Sequence, residues 1–210
     1  MRTDENTLRE ETGHGWARWI QQASSAILQV ERLALMTLMG LLTLVILLNV
    51  ATRYSGMPIY WVDEAAVYLV VWLCFVGASA TTRLRLDFVV TLLTDSLGAR
   101  CALRIRALAA TIVLLFGGAL LLMCWLWMDP VGIARHGFDA RAYAAESFNF
   151  LYTERTQTLN WPTWIVQLIL PLFALSLSVH AAANLVEDLG LRQRAAIAGF
   201  GLGSAETSVN

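Results

Sequence analysis

The chain has 210 residues, of which 57% are hydrophobic and 15% charged, with 15 cationic residues against 16 acidic ones. A soluble domain carries about 25% charged residues, and here the apolar excess is gathered into long uncharged stretches. A near-neutral balance without a polybasic run gives nucleic-acid binding no support. Cys74, Cys101 and Cys124 show no CxxC spacing, so they form neither a disulfide framework nor a zinc site.

Residues 1–32 form a cytoplasmic segment with four Arg and five acids. Within it, Trp16, Trp19, Ile20, Ala23, Ile27 and Val30 recur at helical spacing, which predicts an amphipathic helix lying along the membrane interface. The apolar stretch at 33–52 follows. Its late start and its length are unlike a secretory signal, so it reads as an uncleaved first transmembrane helix. Further spans are expected at about 65–82, 107–128 and 161–186, because roughly 20 helical residues cross a ~30 Å hydrocarbon core. The apolar run Asp87 to Asp95 is too short to cross and reads as a second interfacial segment. A polar, aromatic loop occupies 129–160, with a short helix expected within 140–150. Residues 33–189 thus make a four-helix membrane domain, and 190–210, rich in Gly, Ala and Ser, a flexible cytoplasmic tail. The fold class is an all-α integral membrane protein.

Arginine sets the orientation. Eleven arginines fall on the side of the two termini and the 83–106 loop, and four (Arg53, Arg135, Arg141 and Arg155) on the other. Both termini are therefore expected in the cytoplasm. Trp61, Trp125, Trp127, Trp161 and Trp164 lie at the opposite ends of the spans and read as an aromatic belt.

The middles of these four stretches lack Asp, Glu and Arg. A carrier acting alone places ionisable groups there, and a haem protein needs paired histidines, whereas only His180 of three histidines lies in a span. No HExxH, GxSxG or phosphate-binding glycine loop occurs. No catalytic residue, cofactor or metal is expected. His180 and Asn184, four apart, share a helix face and suit an inter-helix hydrogen bond better than a proton relay. Two small-residue zones suit close packing: Ala174, Ser178 and Ala182 in the fourth span, and Gly77 to Ala80 in the second. Pro171 is expected to bend the fourth span. Arg53 is placed to pair with Asp63 or Glu64 across the first hairpin, and Arg83 and Arg85 to anchor the second span at the lipid headgroups.

The stretch from Asn49 to Gly98 carries Asn49-Val50, Arg53-Tyr54, Pro58-Ile59, Trp61, Asp63-Glu64, Tyr68, Trp72, Phe75-Val76-Gly77-Ala78 and Arg83. It resembles the small membrane subunit, or Q subunit, of tripartite ATP-independent periplasmic (TRAP) transporters. Asp63 stands where that family usually has Glu, Leu86-Asp87 replaces a pair containing His, and the 129–160 loop is long for the family. The resemblance implies a non-catalytic subunit of the bacterial inner membrane that scaffolds a large membrane subunit. That partner would use a sodium or other ion gradient to import a solute, typically an organic acid, delivered by a periplasmic binding protein. Lipid is the remaining expected partner. The alternatives are a self-sufficient small carrier acting as an oligomer and an intramembrane redox or haem subunit.

Overall fold

The computed structural model describes residues 15–86 and 98–191. The expected interfacial segment at 87–95 and nearly all of the tail lie outside them. The described residues form seven helices: α1 (Gly15–Tyr54), α2 (Trp61–Leu84), α3 (Ala99–Met128), α4 (Pro130–Arg135), α5 (Ala140–Ser147), α6 (Thr163–Gln167) and α7 (Ile169–Asp188). Four helices are long and apolar enough to cross a membrane, with α6 and α7 together making the fourth. The β-structure among these residues is an isolated bridge between Arg155 and Pro162.

The expected interfacial helix and the first span are one helix of 40 residues, about 60 Å long at 1.5 Å per residue. No proline interrupts this segment, so no backbone hydrogen bond is lost where the chain would have to turn. Its inward face is not the apolar one. Ala17, Gln21, Ser24, Leu28 and Glu31 are buried, while Trp16, Trp19 and Val30 point outward.

The helix stops where Gly56 takes a left-handed conformation (φ 72°). The Met57 amide bonds the Thr52 carbonyl at 3.0 Å and the Gly56 amide that of Arg53 at 3.2 Å, a Schellman ending with Pro58 just beyond. α2 ends in the same way, but its left-handed residue is Arg85 (φ 57°), where a side chain carries a steric penalty that glycine escapes.

α7 lies at the centre and packs against α1, α2 and α3, whereas α3 packs mainly on α7. The bundle is therefore a slab with α3 at one edge and the α1–α2 hairpin at the other. Leu28, Ala80 and Leu84 form a buried cluster with Leu35 against it. Thr37, Thr43 and Thr111 bond the carbonyls four residues back in their own helices, the default for such residues within apolar helices. The fourth span breaks at Leu168, because Pro171 has no amide for the carbonyl of Gln167. The indole of Trp72 donates to the adjacent Val166 carbonyl at 3.0 Å.

Candidate functional site

Polar chemistry is concentrated at the two ends of the slab. At the end nearer the termini, α7 presents His180, Asn184, Glu187 and Asp188 toward α1 and α2. His180 is fully buried. Its Nδ1 lies 2.8 Å from the Ser24 hydroxyl and its Nε2 3.0 Å from a Glu31 carboxylate oxygen. Ser176 donates to the other oxygen of Glu31, and its own oxygen also meets the Ser79 hydroxyl. Glu31 falls two residues before the 33–52 stretch, so a hydropathy reading leaves it outside the span. Packing places it beside His180, eight residues or roughly 12 Å from the end of α7.

Below that group is an ionic cluster. Arg83 donates to Asn184 Oδ1 and to Glu187 Oε1, both at 2.7 Å. Arg85 donates to Asp188 Oδ1 at 2.6 Å and to the Asn184 carbonyl at 3.0 Å. Gln21 donates to Glu187 at 3.1 Å, and the Asn184 amide closes the set on the Thr82 carbonyl at 2.8 Å. The side chains of Arg83 and Glu187 are 1% and 3% exposed. This corrects the expectation that Arg83 and Arg85 reach the headgroups. With Glu187 and Asp188 on the facing helix, both guanidiniums find carboxylates inside the bundle, and the left-handed turn at Arg85 aims its side chain at them.

At the opposite end, the first hairpin is pinned by Arg53, which donates to Asp63 at 2.7 Å. Asn49 bridges the pair, donating to Asp63 at 2.5 Å and accepting from Arg53 Nε at 2.9 Å. Of the two carboxylates weighed for Arg53, Asp63 is the one engaged. Glu64 turns instead to the long loop, where it accepts from the amides of Gln157, Thr158 and Leu159 at 2.7–2.9 Å and from the Thr158 hydroxyl at 2.5 Å. Tyr68 adds a bond at 3.0 Å. One carboxylate thereby fastens the 155–160 segment to the second span.

The rest of that loop is a packed unit. Asp129 caps α4 through the Gly132 amide at 2.9 Å and accepts from the Tyr143 hydroxyl at 3.1 Å. The helix expected within 140–150 is α5, capped by Asp139. His136 places Nδ1 2.9 Å from the Gly132 carbonyl and Nε2 2.9 Å from Glu146. With an acceptor at each nitrogen, first the Gly132 carbonyl and then Glu146, the ring favours its doubly protonated form and its pKa is raised above the ordinary 6.5.

Most of both small-residue zones faces inward, Ala78 being the exposed member. A Cβ on Gly117 of α3 would stand 2.5 Å from the Ser178 hydroxyl, 3.4 Å from the Ser178 amide nitrogen and 3.5 Å from the Ala174 carbonyl. The stripe of Ala174, Ser178 and Ala182, expected as a close-packing zone, is thus seated on α3 at Ala174 and Ser178. Gly77 faces Leu35 of α1, and Ser79 and Ala80 are buried. The sequence contained both stripes but not their partner, because small residues pack equally well within a chain and between chains.

Among the described residues no three His, Cys, Asp or Glu side chains converge as a metal site requires. A family profile described as "Tripartite ATP-independent periplasmic transporters, DctQ component" matches residues 42–191. No curated protein and no solved structure gives a significant match.

Proposed function

This chain belongs to the DctQ component family of tripartite ATP-independent periplasmic transporters, and from that membership we propose that it scaffolds the large membrane subunit without moving the solute itself. The large subunit binds the coupling ion, sodium in this reading, and carries a solute of the organic-acid class. A periplasmic binding protein delivers that solute to the assembled complex. The chain sits in the bacterial inner membrane with both termini in the cytoplasm, as the arginine bias favours. Labelling of a cysteine placed at Ala140 by an impermeant external reagent checks this orientation, and labelling only from inside would reverse it.

One observation carries the scaffold reading. Among the described residues, the Asp, Glu, Arg and His side chains that the bundle buries (Glu31, Arg83, His180, Glu187 and Asp188) are each engaged by another side chain of this chain. A coupling ion needs ligands held ready for it, and these groups already bind one another. Co-expression with the large subunit of the same system tests the pairing. A tagged chain should retain that subunit through purification in mild detergent, and purification without it would contradict the proposal. The buried Glu31–His180 pair favours the second reading, a carrier acting alone, since a carboxylate beside an imidazole within a span is a proton-relay arrangement.

A further inference from the structure

A cavity of about 600 Å³ lies where the loop-side end of α3 meets the start of the fourth span, beneath the short helices α4 and α5. The scaffold role makes no use of it. Leu121 and Met128 wall it on one side, Leu168 and Pro171 on the other, and Ile133 and Ala140 cover it. Its size is that of a small-molecule site, but its lining is apolar. The Tyr152 hydroxyl in that lining already donates to the Met128 carbonyl at 2.6 Å.

The space opens to the surface and its lining is mainly apolar, so water gains few of the two to four polar partners that hold it in place. Left unfilled, the walls forgo the dispersion contacts that close packing supplies. Both walls are membrane-spanning helices, and Trp125 and Trp164 of the aromatic belt also line the space. The apolar matter that reaches this level is the hydrocarbon of the bilayer.

Two cations stand on the helices that roof the cavity. Arg135 ends α4 and Arg141 lies in the first turn of α5, and both are exposed. Neither guanidinium has a partner among the described residues. The nearby carboxylates are already engaged: Asp139 accepts from the Arg141 and Ala142 amides, and Glu146 is paired with His136. We propose that the cavity binds one acyl chain of a membrane phospholipid, whose phosphate is held by Arg135 and Arg141.

The test uses the full chain in nanodiscs containing phosphatidylglycerol with a diazirine near the end of one acyl chain, beside a diacylglycerol of the same chains. After irradiation, cross-links of the phospholipid should concentrate on residues 121–128 and 164–171 rather than on the exposed face of α1 at 44–50. Ala140→Phe fills the cavity from the roof and Leu121→Phe from the wall. Both should lower cross-linking to the level of the α1 face, so the misfolding of one variant would not imitate the result. Arg135→Gln with Arg141→Gln should lower phospholipid cross-linking about thirtyfold and leave that of the diacylglycerol unchanged. Cross-links spread evenly over the spans would overturn the proposal. So would indifference to both filling variants, or an equal fall for both lipids when the arginines are removed.

Discussion

Arg53 and Arg83 both stand near the ends of spans, yet their surroundings give them opposite weight. The Arg53–Asp63 pair is exposed, with side chains 60% and 53% accessible, and such pairs contribute less than about 1 kcal/mol. Arg83 is buried against Glu187 and Asn184. Removing one member of a buried pair costs about 3–5 kcal/mol, because the partner charge is left without compensation. Arg83→Met should therefore lower the thermal midpoint and the yield of the purified chain sharply, while Arg53→Ala changes them little. Equal effects would mean that the ionic cluster does not hold α2 to α7. His136 gives the loop a pH dependence of predictable sign. Its folded-state pKa is raised, so its contribution is complete below the unfolded value of about 6.5 and is lost as pH rises through the folded value. Hydrogen exchange in peptides covering 129–149 should be slower near pH 6 than the intrinsic pH trend predicts and relax to that trend as pH rises through the raised pKa. His136→Gln should remove the difference.

At the scale of elements, two glycines of α3 and one of α4 separate packing from propensity. Gly117 has the Ser178 hydroxyl and the α7 backbone where its Cβ would be, whereas Gly118, the next residue, faces open space. Gly117→Leu should push α3 away from α7 and destabilise the chain by about 1–3 kcal/mol. Gly118→Leu should be tolerated, since leucine suits a lipid-facing helix. Gly132 is more constrained, because a Cβ there would lie 1.9 Å from Asp129 Oδ2 and 2.8 Å from Tyr143. Gly132→Ala should release the Asp129 cap and open the 129–149 unit to protease. The α3–α7 contact also changes the meaning of bulky substitutions at Ser178. They would disturb this chain's own bundle before any partner could sense them.

For the molecule as a whole, what could be read without a structure was whatever depends on periodicity and length. Four spans, the break in the helix ahead of Pro171 and the helix within 140–150 follow from local rules of hydropathy and backbone bonding. Pairing between distant segments does not. Nothing local in Glu31 says that His180, 149 residues away, stands beside it. Nothing local in Arg85 says that a left-handed turn sends its side chain to Asp188 rather than to the lipid surface. For the same reason the Trp16 to Val30 pattern gave the helix but not its direction, and the helix runs straight on into the span.

These contacts leave a slab whose buried charged side chains are paired with one another, and on the proposed function such a slab supports transport without performing it. Purified chain reconstituted alone in liposomes with an imposed sodium gradient should take up no organic acid above the background of empty vesicles, and addition of the large subunit and the binding protein should bring uptake. Uptake by the chain alone at a rate comparable to that of the full assembly would contradict the claim and make Glu31 and His180 the first residues to examine as its proton path.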